Sequence, residues 1–391
     1  MHYIARSHSS HRTLLKGFQT HFGGLTDPRV ARPRLYLLDE ILFIVLCGSI
    51  CGAESWRDYV LFRKEKIAFL REFFPYAAGI PCKNTFARVL AALDPQAFRS
   101  CFIAWVAALQ SQQQVASNEV IAIDGKALRN SAGDKAGLKA IHMVSAFATD
   151  TRLILAQHKV DAKSNEITAI PALLKLLDIT GHTITIDAMG CQREIAEQIE
   201  AQGGHYVLAL KGNQGTLNED IRLFLEDEDG KTGPSRITDR HTHTDCDHGR
   251  IETRRCVVSD QLDWLSQKSA WRGLRSLAML EETRDINGKI SVERRFFISS
   301  LPPDAARIAK AIRAHWAIEN SVHWTLDVVM GEDQSRIRRD HAPENMAMVR
   351  HIVLNMLNNA KQQFKGVSLK ALRKKAGWGN ETLRAILALN F

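Results

Sequence analysis

Three acidic residues stand where a carboxylate can do chemistry: Asp124 in VIAIDGKALR, Asp187 in TITIDAMGCQ and Glu319 in HWAIENSVHW. The two aspartates close short β-branched runs, and a side chain leaving the carboxyl end of a strand points into the crevice where open sheets bind ligands. The glutamate lies beside a helical stripe of Ile308, Ile312, Trp316, Asn320, His323 and Leu326, which predicts Trp316 in the core and Glu319 at the stripe's edge. Three such carboxylates supply the hard oxygen ligands that Mg2+ or Mn2+ prefers.

Other constellations compete with this one. Asp327 is a rival for the place of the third ligand. His315, Glu319 and His323, spaced i, i+4 and i+8, form a helix face that could hold zinc, but they do not make the HExxH arrangement that activates a water. Glu166 is either a fourth acid or a first-turn helix residue facing the helix dipole. The run HTHTDCDH, from His241 to His248, is too crowded to converge on one tetrahedral ion without a chain reversal, and it reads as a solvated hairpin end.

The elements that must position the acids follow from periodicity. Strands are predicted over residues 120–124, 142–148 and 153–160, with a tight turn at Thr149, Asp150 and Thr151. A helix over 168–177, with Pro171 in its first turn, leads to a strand at 183–187, a helix at 192–202 and a strand at 206–210. The order βββαβαβ is that of a ribonuclease-H-like α/β fold, a mixed sheet flanked by helices in which the first and fourth strands bring Asp124 beside Asp187. Residues 1–115 read as a helical DNA-binding head, 116–360 as the catalytic domain with a β-rich insertion at about 232–300, and 361–391 as a basic helical tail. In the head, Arg57, Arg63, Lys64 and Lys66 form a basic face, and GIPCKNTFARVLAAL has the turn and cap of a helix-turn-helix.

Composition limits the partners. The chain has 391 residues, 45% of them hydrophobic, and carries a net charge of +9, which suits a polyanion because each neutralised phosphate releases a counterion. Lys126, Arg129 and Lys211 follow strand ends beside the crevice, while Arg336, Arg338 and Arg339 begin a basic stretch ahead of the tail; all six are candidates for phosphate contacts. The longest apolar run, residues 41–51, is too short to span a bilayer and reads as a buried helix. With no apolar signal core and seven cysteines outside any CxxC spacing, a cytoplasmic location is expected.

Several strings are long and idiosyncratic: GIPCKNTFARVLAALDP, AIDGKALR, KSNEITAIPALLKLLDITGHTITIDAMGCQ, HYVLALKGNQ, HGRIETRR and HWAIENSVHWTLDVVMGEDQSRIR. Through them, from about Leu35 onward, the chain resembles the H-repeat-associated family of bacterial insertion-sequence transposases, within the DDE clan. The resemblance implies that Asp124, Asp187 and Glu319 are the catalytic triad, and that the activity is metal-dependent DNA strand cleavage and strand transfer. It further implies Mg2+ or Mn2+ as a pair of ions, double-stranded DNA partners (terminal inverted repeats and target) and a homo-oligomer in the synaptic complex. The clan's auxiliary Tyr, Arg and Lys on the third helix are here Ile312, His315 and Leu326, so those contacts do not carry over. A stand-alone nuclease of the same fold and a domesticated DNA-binding relative are the alternatives.

Overall fold

The computed structural model describes residues 2–29, 34–113, 118–132, 140–160, 165–247 and 250–391. Six helices open the chain: α1 (His2–Phe22), α2 (Leu38–Ile50), α3 (Trp56–Glu65), α4 (Ile67–Leu70), α5 (Lys83–Ala92) and α6 (Pro95–Gln113). Nearly every residue of α2 is buried, as its unbroken apolar run requires. Among the described residues no helix is long and apolar enough to cross a membrane. Two expectations for the head need correction. Arg63 is buried, because it shares an inward helix face with Tyr59 one turn earlier, so the basic face lacks it. The element ahead of the Gly79 turn is the single-turn α4, and residues 71–82 separate it from α5, far more than the short link of a helix-turn-helix.

The chain then alternates: β1 (Val120–Leu128), β2 (Ile141–Ala148), β3 (Leu153–Lys159), α7 (Glu166–Leu174), β4 (Thr183–Ile186), α8 (Arg193–Ala201), β5 (His205–Leu210) and α9 (Gly215–Gly230). Pro171 falls in the second turn of α7 rather than its first, since the helix begins at Glu166. Four long strands follow, β6 (Asp239–Asp247), β7 (Arg250–Ser259), β8 (Ser276–Ile286) and β9 (Lys289–Ser299). The β8–β9 hairpin turns on Asn287 and Gly288, both with positive φ (53° and 82°), the conformation that an Asn-Gly pair adopts with little strain.

Among the described residues the nine strands form one sheet in the order β3-β2-β1-β4-β5-β9-β8-β7-β6. β1 runs antiparallel to β2 and parallel to β4, β4 is parallel to β5, and β9 closes antiparallel onto β5. The β-rich stretch is therefore continuous in hydrogen bonding with the strands that carry the aspartates. Helix α10 (Ala305–Ala317) packs its apolar stripe on one face of this sheet, where Ile308 and Ile312 meet Val207, Val258 and Phe297.

Beyond α10 come α11 (Ala342–Ala360), α12 (Leu369–Trp378) and α13 (Asn380–Ala388). Helix α11 is buried along almost its whole length and is wrapped by the head, the sheet and the last helices. Head and tail share one core: Phe391 packs edge-on against Phe18 and Phe22, and Trp105 Nε1 donates 3.0 Å to the carbonyl of Asn390. Arg373, within the basic tail, is buried and donates to the carbonyls of Val329 and Ser49.

Candidate metal centre

Parallel pairing sets the first two acids side by side. Ile123 is in register with Ile186, so the next residue along the chain from each is an aspartate. Asp124 is not at the end of its strand: β1 continues to Leu128 along β2, whereas β4 stops at Ile186, and the mismatch opens a notch at the aspartates. Asp187 caps the turn that follows, its Oδ1 accepting from the N–H groups of Met189 (3.1 Å) and Gly190 (3.3 Å). Asp124 Oδ1 accepts from the N–H of Gly125 at 2.8 Å. A Cβ at Gly125 would lie 2.0 Å from Glu166 Oε1 and 2.7 Å from His142 Nε2, so any larger residue there would displace the Glu166–His142 pair.

Glu319 reaches the notch through an irregular helix. Asp304 caps α10 by accepting from Arg307 N–H at 2.8 Å, and the α-helix ends at Ala317. Residues 318–323 and 325–329 are wound as π-helix: Trp324 N–H donates to the carbonyl of Glu319, and Met330 N–H to that of Thr325 at 3.1 Å, each bond spanning five residues. Such widened turns are frequent at functional sites.

The winding places Glu319 Oε2 3.3 Å and Asp124 Oδ2 3.6 Å from His323 Nδ1. Asp124, Glu319 and His323 each offer one ligand atom, and these atoms lie within 4.8 Å of one another. Asp187 lines the same pocket of about 220 Å³ together with Lys211, Arg295, His315 and Trp316. Burial pushes Asp124 up to about 8, the neighbouring Glu319 and Asp187 carboxylates add to the rise, and the Gly125 N–H opposes it. Negative charge crowded into a half-closed pocket is what a divalent cation relieves.

Residues 116–356 match the family described as the transposase DDE domain, and residues 19–106 match the DDE_Tnp_1-associated family. The chain belongs to the DDE transposase family, in its H-repeat-associated group. It is 40% identical to the H repeat-associated protein YhhI of Escherichia coli (strain K12) over 96% of this chain and 98% of that protein. Protein YbfL of the same organism is 41% identical with the same coverage. Among solved structures, a piggyBac transposase synaptic complex with hairpin DNA aligns at a TM-score of 0.45 and 11% identity, over 95% of this chain and 81% of that chain.

The remaining residues singled out in this DDE-family chain lie around the pocket of Asp124, Asp187 and Glu319. Asp327 lies 2.7 Å from the Nζ of Lys126 and outside the cluster of Asp124, Glu319 and His323. Lys126 itself is enclosed, with Asp333 at 3.2 Å and Glu332 at 3.8 Å, and these carboxylates rather than a phosphate hold its charge. Its side chain runs inward because it shares a strand face with Asp124. Arg129 is exposed with Asp333 at 3.5 Å, Lys211 is exposed on the pocket rim, and Arg336, Arg338 and Arg339 are all exposed. Arg338 Nε donates 2.8 Å to the carbonyl of Asn130, beside Arg129.

The zinc face divides. His315 is turned to Thr185 Oγ1 at 3.2 Å and lies outside the ligand cluster that holds His323. Glu166 pairs with His142 at 2.6 Å instead of joining the acids. In the HTHTDCDH run, His243 meets Asp245 at 2.9 Å on the exposed strand β6, and His248 lies outside the described residues. Trp316 is 50% exposed, contrary to its place in the stripe; it lies under the Arg295 guanidinium, 5.5 Å from the ring centre. Arg295 had no sequence signal, because only the pairing of β9 with β5 brings it to the pocket.

Proposed function

We propose that this protein is a metal-dependent transposase that cleaves DNA strands at the ends of an insertion sequence and joins them to target DNA. The observation that carries the reading is the adjacency of Asp124 and Asp187 across the β1–β4 register, with Glu319 delivered to the same notch by the π-wound helix. The strand order, three antiparallel strands followed by two parallel ones, supports a ribonuclease-H-like core at 116–360, with the head and tail as surrounding units.

Asp124, Asp187 and Glu319 would hold Mg2+ or Mn2+, as a pair of ions, which supply activation of a water or 3′-hydroxyl and stabilisation of the leaving oxygen in an in-line displacement. The donor set suits this, being mostly carboxylate oxygen in a pocket where Asp124 is poorly ionised until a cation compensates it. Lys211 on the rim and exposed Arg129 supply phosphate contacts that orient the scissile strand. Arg336, Arg338 and Arg339 extend that basic surface toward duplex DNA, and Lys126 serves instead to brace the floor of the site. We take the partner to be double-stranded DNA, the working form to be a homo-oligomer and the location to be the bacterial cytoplasm.

A strand-transfer assay tests this. Pre-cut terminal repeat ends, a supercoiled target and Mg2+ should yield joined products with the wild type and none with Asp124→Asn. Cleavage of uncut ends without joining would mark a nuclease, and neither product would refute the enzymatic reading.

A further inference from the structure

His323 is one of the most enclosed polar side chains near the triad, with 7% of its surface exposed. Its Nδ1 faces between two carboxylates, at 3.3 Å from Glu319 and 3.6 Å from Asp124. Both distances exceed the roughly 2.7–2.9 Å of a charge-assisted N–H···O bond. They lie closer to the spacing of neighbouring ligands on one ion, about 3 Å when each is about 2.1 Å from the metal.

The opposite edge of the ring carries the second observation. His323 Nε2 is buried with no hydrogen-bond partner among the described residues, and so is Nδ1 of His351, which is 3% exposed. Both histidines line a cavity of about 10 Å³ behind the site, together with Lys126, Ser145 and Glu332. That is close to the smallest space that houses one water, and the lining is polar enough to hold it. A neutral imidazole has one N–H and one lone pair, so a single water can accept from one ring and donate to the other. Burial keeps His351 neutral, holding it at about 3, and so able to accept.

We infer that His323 is a further ligand of the metal centre, held in its ligating tautomer by a buried water shared with His351. With the proton on Nε2 and given to that water, Nδ1 presents its lone pair to the space between Asp124 and Glu319, where a cation would take one ligand atom from each of the three side chains. A ligating histidine ordinarily donates its other N–H in this way, and the outer partner sets its orientation. The consequence is a mixed nitrogen and oxygen shell that shifts preference from Mg2+ toward Mn2+ and later transition ions. The opposite polarity of the same water would leave an N–H on Nδ1 as a donor to the carboxylates, a positioning role without ligation.

This inference rests on the metal-dependent reading above, and pulsed electron paramagnetic resonance of the Mn2+-loaded full chain separates the two. Nitrogen modulation from a coordinated imidazole is expected in the wild type and in His315→Gln, and is expected to vanish in His323→Gln. His351→Phe should weaken Mn2+ binding by about 10–100-fold while leaving the fold intact. Bound Mn2+ without nitrogen modulation in the wild type, or modulation lost in His315→Gln, would overturn ligation by His323. If His323→Gln does not fold, the wild-type and His315→Gln spectra still decide. Mn2+ binding unaffected by Asp124→Asn would sink the carboxylate site instead, and no binding by the wild type would sink both.

Discussion

The ammonium of Lys126 lies 2.7 Å from Asp327 and within 4 Å of Glu332 and Asp333, two residues along β1 from the candidate metal ligand Asp124. Glu332 in turn meets Arg350 at 3.3 Å, both side chains being buried. Lys126 thus fixes the chain that follows the π-wound segment against the strand that carries the first aspartate. Removing Lys126 leaves Glu332 with Arg350 and Asp333 with Arg129 but takes from Asp327 its nearest cation, at a cost of up to about 3 kcal/mol. Lys126→Met should therefore lower the unfolding midpoint markedly in thermal denaturation, and a variant as stable as the wild type would show that the cluster is solvated.

The triad variants should behave in the opposite way. Asp124→Asn, Asp187→Asn and Glu319→Gln keep shape while removing charge, so circular dichroism and duplex binding should be unchanged. Cleavage should fall by about a hundredfold or more, since a misplaced nucleophile alone costs that much. Gel-based cleavage with Mg2+ and Mn2+ reads this, and full activity in Glu319→Gln would move the third ligand elsewhere.

A pH dependence follows from Asp124, whose carboxyl burial raises to about 8 in the metal-free fold against the usual value of 3.8. Between those limits the folded state holds a proton that the unfolded state has released. Metal-free stability from this group is then fully present below pH 4 and is lost as pH rises toward 8. Asp124→Asn should raise the melting temperature of EDTA-treated protein by a few degrees at pH 8 and little at pH 4. Wild-type protein should release protons on binding Mn2+ near pH 7, measurable by calorimetry in buffers of different ionisation enthalpy.

Arg336 and Arg338 are exposed, so their loss should leave stability unchanged. Each alanine substitution should weaken duplex binding and reduce the slope of log affinity against log salt by about one. Fluorescence anisotropy across a salt series checks this, and an unchanged slope would place the DNA away from this edge.

The sheet was legible where its signal is local. The runs around Asp124 and Asp187 are apolar and β-branched because helices cover both faces, and their order alone set the two acids side by side. What escaped depends on longer-range geometry. Nothing in HWAIENSVHWTLD announces the π winding that separates His315 from His323, and nothing local to Trp316 announces Arg295, which faces it from β9. Lys126 reads as a free cation because its cage is drawn from residues some two hundred positions away. Arg63 and Arg373 look like surface charge, yet the first follows Tyr59 inward and the second finds backbone carbonyls in the interior.

The widened turns after α10 have a consequence for chain length. In regular α-helix each residue advances by about 100°, so deleting one residue between Ile318 and Val329 could restore ordinary winding and even favour the helix as such. The flanking segments would keep nearly their phase, since a widened turn closes one circuit with an extra residue, but Glu319 and His323 inside it would be reset relative to the notch. The segment that delivers Glu319 is thus constrained in its number of residues as much as in their identity, and a more regular helix there would be the wrong one.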